Sequence, residues 1–161
     1  MGRRAIIMDL GGTVCGEVGD ADDLESVRLL PGSAAAIRTA NERGFQTILA
    51  AEAEDKLHER IRELLDREGA RLDGIYGRRD ELFWRARDEM GIDLTASYTI
   101  GDRGLDLEEG HRAGTTNVLV LTGRGRDELA HHAHAWRVPP DHVAPDLRAA
   151  VDWILGREVA P

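Results

Sequence analysis

The chain cannot form a disulfide of its own. It has one cysteine, Cys15, which excludes the stapled frameworks of small secreted domains and fits a reducing compartment. Aromatic residues are scarce at 4%, and the three tryptophans, Trp84, Trp136 and Trp153, read as packing residues rather than stacking platforms. No apolar run approaches the roughly 20 residues of a membrane helix. The basic start, Met1-Gly2-Arg3-Arg4, leads into the short apolar run Ala5-Ile6-Ile7-Met8, which ends at Asp9 and is too brief for a secretory signal. Ile6 stands where a myristoylation signal needs Ser or Thr. Positive charge is also short, with 21 Lys and Arg against 30 Asp and Glu for a formal charge of −9. A nucleic-acid footprint is therefore not expected. The expectation is a cytoplasmic protein with no membrane and no nucleic-acid partner. The 161 residues suffice for one domain, 1–161, around a single core.

The first informative stretch is Met8-Asp9-Leu10-Gly11-Gly12-Thr13-Val14. Four apolar residues in a row suit a strand buried on both faces of a parallel sheet. A carboxylate at the C-terminal end of such a strand sits where open α/β sheets bind ligands. Taken alone, the same residues are also a strand followed by a tight Asx-Gly turn. Further along, alternation is regular. Strands are expected near Arg4 to Asp9, Phe45 to Ala50, Leu72 to Tyr76 (edge-like), Ser97 to Gly101, Asn117 to Leu121 and His142-Val143. Helices are expected after Ser33 as N-cap, over Ala53 to Glu68, Asp80 to Met90, Leu105 to Ala113, Arg126 to Trp136 and Asp146 to Leu155. Val14 to Leu30 reads as an acidic loop with a helical turn near Asp23, too short to hold a bulky inserted cap. The pattern predicts a doubly wound parallel sheet, Rossmann-like, with helices on both faces and a minimal cap or none.

Two strand ends carry aspartates, Asp9 and Asp102 in Tyr98-Thr99-Ile100-Gly101-Asp102. In a doubly wound sheet neighbouring strand ends meet at one crevice, and two carboxylates there repel unless a cation lies between them. Hard oxygen ligands suit Mg²⁺. Asp106 falls on the same helix face as Asp102, although both could simply favour a helix N-terminus. His131, His132 and His134 read as a solvated face. Arg112, Arg124 and Arg126 read as surface charges, and Cys15 as a small buried filler.

These motifs resemble the haloacid dehalogenase superfamily, which opens with Asp-x-Asp-Gly-Thr and carries Gly-Asp-x-x-x-Asp late in the chain. Here they stand as Asp9-Leu10-Gly11-Gly12-Thr13 and Gly101-Asp102-Arg103-Gly104-Leu105-Asp106. Leu72-Asp73-Gly74-Ile75-Tyr76, Ala86-Arg87-Asp88 with Gly91-Ile92-Asp93, and Val118 to Gly123 resemble the histidinol-phosphate and heptose-bisphosphate phosphatase branch, over about residues 5 to 125. The resemblance implies a nucleophile at Asp9 that forms an aspartyl-phosphate. It also implies Mg²⁺ held by Asp9, the Gly11 carbonyl and Asp102, with support from Asp106. Gly12, Thr13 and Arg78 or Arg79 would then bind the phosphate.

The departures from that pattern matter as much. Gly11 replaces the second aspartate, which serves as general acid/base; Ala51 replaces a phosphate-binding hydroxyl; Gly77 falls where a lysine is expected; and the Cys/His zinc loop is absent. Arginine does not reproduce a lysine's compact charge. Two functions follow as expectations. One is a Mg²⁺-dependent phosphoryl-transfer hydrolase of reduced or altered activity, acting on a phosphorylated small molecule or macromolecular substrate, as a possible homo-oligomer. The other is a weakened pseudo-phosphatase that binds a phosphorylated ligand or a protein partner.

Overall fold

The computed structural model describes residues 2–17, 23–77 and 79–158. Its centre is β1 (Ala5–Asp9), buried along its whole length up to Asp9. β2 (Gln46–Ala50) and β3 (Gly74–Tyr76) extend the sheet to one side of it, and β4 (Tyr98–Gly101), β5 (Thr116–Val120) and β6 (His142–Ala144) to the other. The order is β3-β2-β1-β4-β5-β6, and every pairing is parallel. The chain thus reverses its direction of growth between β1 and β4. That switch point is where the C-terminal strand ends of a doubly wound sheet open a crevice.

Successive side chains of a strand face opposite ways, and β1 uses both faces. Ile6 and Met8 join one core with Ala36 and Ile37 of α1 (Ser33–Glu42), Leu57, Ile61 and Leu65 of α2 (Asp55–Asp66), and Val151 and Ile154 of α6 (Leu147–Glu158). Ala5 and Ile7 join a second core with Leu82, Phe83 and Ala86 of α3 (Arg79–Met90). A strand covered by helices on both sides has no room for alternating polar residues, which is why β1 reads as a continuous apolar run. α4 (Gly104–Ala113) packs on β4 and β5. Beneath it lies a buried polar knot in which the Thr99 and Thr115 hydroxyls pair at 2.7 Å and the Asn117 amide donates to the Thr115 carbonyl at 3.0 Å.

The expected elements are present, with three corrections. Ser33 does not cap α1. Gly32 takes the cap position at φ 81°, and Ser33 is the first helical residue with its hydroxyl buried. Arg126 to Trp136 is not one helix. After the short α5 (Gly125–Asp127) the backbone widens into a π-turn over Glu128–His132 and then tightens over Ala133–Ala135. The cause is tertiary, because Trp136 is pulled against Gly104 and its Nε1 donates to Glu128 at 3.3 Å. Trp84 does not pack inward; it is 49% exposed beneath the Arg87 guanidinium. The turn near Asp23 is a 3₁₀ turn over Leu24–Ser26.

Gly110 lets α4 sit directly on the polar knot. A Cβ there would meet Thr99 Oγ1 at 2.7 Å and Thr115 Oγ1 at 2.8 Å. Gly156 in α6 faces open space. Alanine in a helix normally gains about 1 kcal/mol over glycine. Urea unfolding is expected to show that gain for Gly156→Ala. For Gly110→Ala it is expected to show a net loss of about 1–3 kcal/mol, the usual range for overpacking; equal gains in both variants would contradict the packing described.

Candidate active site

Asp9 ends β1, Asp102 follows β4, and Asp106 lies in the first turn of α4. Because β1 and β4 are neighbours, the three carboxylates converge. One oxygen from each lies within 4.8 Å of the others. Asp102 is 1% exposed, Asp106 is 6% exposed, and Asp9 is half-buried.

Asp102 is held from behind. Its Oδ2 accepts the Arg124 backbone N–H at 2.9 Å. The Thr122 hydroxyl donates to the Gly12 carbonyl at 2.6 Å, tying the loop after β5 to the loop after β1. Gly12 has φ 83°, and a side chain there would run into Asp102 Oδ2. Gly123 lies against it, so the two backbones and the carboxylate stack with no space for a Cβ on either glycine. These contacts account for Gly12 better than backbone freedom alone.

Burial pushes the Asp102 carboxyl above the ordinary carboxylate range; the Arg124 N–H opposes that, and the neighbouring Asp9 charge adds to it. Asp102 Oδ1 is buried with no donor facing it among the described residues. A buried carboxylate oxygen without a donor, beside a second and a third carboxylate, is a poor arrangement for a bare site and a good one for a hard divalent cation. The donor set therefore fits Mg²⁺.

A cleft of about 720 Å³ opens in front of these groups. Asp9, Gly11 and Asp106 line it, as do Ala51 and Gly77, the positions where a hydroxyl and a lysine are missing. Gly12 and Thr13 do not line it; Thr13 is fully buried with its hydroxyl unpaired among the described residues. Arg79 opens α3, and Arg78 lies outside the described residues. Glu17, Glu52 and Glu54 add carboxylates to the lining, and Arg103 is the one cation among the described lining residues. In the sequence Glu17 reads only as part of the acidic loop 14–30, and Arg124, whose backbone holds Asp102, only as a surface charge. The signal for Arg124 was Thr122-Gly123 directly after a buried apolar run, the same device that follows Asp9. The Arg124 Nε also reaches Glu17 at 3.1 Å.

The remaining candidates stay apart from this chemistry. Burial, with the Asp9 charge adding to it, pushes the Cys15 thiol up to about 12, so it is an inert filler. His131 and His132 are solvated beside Asp127. No helix among the described residues is long and apolar enough to cross a membrane.

A cleft over clustered carboxylates at the switch point of a doubly wound sheet is a place where such folds bind ligands, with a donor set suited to a hard cation. The HAD-hydrolase-like family model matches residues 79–150. A D-glycero-D-manno-heptose-1,7-bisphosphate 7-phosphatase of Thermosynechococcus vestitus is 32% identical, with 96% of each chain covered. A D-glycero-beta-D-manno-heptose-1,7-bisphosphate 7-phosphatase of Escherichia coli O6:H1 is 26% identical over 94% of this chain and 88% of its own length. The crystal structure of a D,D-heptose 1,7-bisphosphate phosphatase from B. bronchiseptica, complexed with magnesium and phosphate, superposes with a TM-score of 0.82 at 24% identity, covering 96% of this chain and 99% of that one. The chain belongs to the haloacid dehalogenase-like hydrolases, among the phosphatases of that superfamily.

The raised Asp102 carboxyl has a consequence for stability. A carboxyl whose folded pKa exceeds its unfolded value supports the fold at low pH, and that support is lost as pH rises through the folded value. At neutral pH, without metal, ionised Asp102 therefore works against folding. Asp102→Asn is expected to raise the metal-free melting temperature at pH 7 and to abolish the rise that Mg²⁺ produces in the parent protein. Differential scanning fluorimetry with and without Mg²⁺ reads both effects; a variant that melts lower without metal, or is still stabilised by it, would contradict this account.

Proposed function

We propose that this chain is a Mg²⁺-dependent phosphomonoesterase acting through Asp9, on a sugar phosphate of the kind handled by the heptose-bisphosphate phosphatases it resembles. The observation that carries this reading is the convergence of Asp9, Asp102 and Asp106 at the mouth of one cleft. Asp9, the Gly11 carbonyl and Asp102 would hold the ion, with Asp106 in support. When bound, the ion supplies charge neutralisation for the phosphoryl group. That matters here because a phosphate dianion entering this cleft also meets Glu17, Glu52 and Glu54.

In the first step an Asp9 carboxylate oxygen attacks phosphorus in line with the ester oxygen. The bond to the leaving alkoxide breaks, and the phosphoryl group rests on Asp9 as an acyl phosphate. In the second step water attacks that phosphorus, inorganic phosphate leaves, and the Asp9 carboxylate is restored. The proton for the alkoxide must come from water, because Gly11 has no side chain to donate one. Arg103, at the cleft wall, supplies a positive charge near the phosphate. The backbone at Gly12 and Thr13 shapes the loop that presents Asp9.

General acid/base groups contribute roughly 10²–10⁴ in rate. The predicted enzyme is therefore slow relative to relatives with a paired aspartate, while retaining the nucleophile. The alternative, a binder without turnover, predicts that Asp9 is dispensable. Steady-state hydrolysis of an aryl phosphate with Mg²⁺ separates the two. Asp9→Asn is expected to fall to the uncatalysed background, and Gly11→Asp to rise by a factor on the order of 10². Parent protein and Asp9→Asn giving the same rate would leave the binder as the correct reading.

A further inference from the structure

A second cleft, of about 570 Å³, lies away from the carboxylates and shares no lining residue with their cleft. It is formed by Leu24, Glu25, Arg28, Arg60, Leu64 and Arg67. Three guanidinium groups around one concavity are unusual on a chain of formal charge −9. Lone surface arginines are ordinarily scattered and solvated, but two of these are fixed in place. The Arg60 Nε donates to the Leu24 carbonyl at 3.3 Å, and only 21% of the Arg60 side chain is exposed. Arg28 Nη1 donates to the carbonyls of Glu25 and Val27. Arg60 Nη1 also pairs with the exposed Glu63 at 3.3 Å, and Glu25 lines the cleft; the N–H groups left over on Arg60 and Arg28 keep a set orientation around the same 3₁₀ turn. Such preorganisation lowers the entropy lost on binding an anion.

The spacing limits what fits. Arg60, Leu64 and Arg67 follow one another at helical intervals along α2 and its C-terminal cap. Seven residues of helix rise span about 10 Å, more than one phosphate can bridge and about the reach of a di- or triphosphate. Leu24 and Leu64, half-buried against the core, give the cleft an apolar part. Its volume is within the usual range of small-molecule sites. We propose that this cleft binds a small polyphosphorylated anion bearing an apolar ring, of the nucleoside di- or triphosphate class, with its phosphates across Arg60, Arg67 and Arg28 and its ring against Leu24 and Leu64. The proposal is independent of whether Asp9 turns over a substrate.

Isothermal titration of the full chain, with EDTA present and at about 0.15 M ionic strength, tests it. The probes are ATP, AMP, pyrophosphate and a short acidic peptide. ATP is expected to bind, with pyrophosphate weaker and AMP weaker still. Arg60→Gln and Arg67→Gln should each weaken ATP binding about tenfold, as loss of a charge-assisted contact implies. Asp9→Asn should bind ATP as the parent does. Arg67 is exposed at the end of α2, so its variant remains a test even where Arg60→Gln disturbs folding. Absence of ATP binding at millimolar concentration, equal binding by Arg67→Gln, loss of binding in Asp9→Asn, or preference for the acidic peptide would each overturn the proposal.

Discussion

The structure turns on the repulsion between carboxylates that the fold brings together and withdraws from water. Asp9, Asp102 and Asp106 place oxygens within 4.8 Å of one another, two of these side chains being almost fully buried. Like charges at such range in a partly desolvated site are unfavourable by several times their cost in water. A protein keeps such an arrangement only where something offsets it. Here the Arg124 N–H takes one Asp102 oxygen, burial drives its carboxyl toward the protonated form, and the clustered oxygens form a donor set that a hard divalent cation would suit.

The rest of the molecule serves to make that convergence rigid. The two cores clamp β1 from both faces, so the position of Asp9 is fixed by Ile6, Ile7 and Met8 behind it. The reversal of strand order sets β4 beside β1. The loop after β5 then closes from the far side, with Gly12 and Gly123 packed onto Asp102 so tightly that neither position admits a side chain. Glu128 caps α4 by accepting the Gly104 N–H at 2.9 Å, and Trp136 covers that contact. A distorted helical stretch is the result, with the regular geometry of 125–135 given up to hold the element that carries Asp106.

Much of this was legible from the residues. The apolar run before Asp9 and the aspartate after Ile100-Gly101 located two strand ends, and alternation of strands with helices made them neighbours. The helix boundaries at α2, α3 and α4 followed from periodicity to within a few residues. What escaped was set by distant contacts. Ser33 looks like a cap, but Gly32 adopts the left-handed geometry and takes the position. The π-turn at 128–132 arises from Trp136 docking on α4, which no local pattern signals. Arg124 has the composition of a surface charge, yet its backbone rather than its side chain does the holding. The acidic lining from Glu17, Glu52 and Glu54 comes from two separate loops, and it could be assembled only once β1 and β2 were known to be adjacent.

The central claim is that Asp9 and Asp102 share one divalent cation. Diffraction from crystals grown with Mn²⁺, recorded for its anomalous signal, tests it directly. The account predicts one strong peak in contact with both carboxylates and at the mouth of the cleft lined by Gly11. An ion bound elsewhere, or a site between residues 9 and 102 that stays empty at saturating metal, would contradict it.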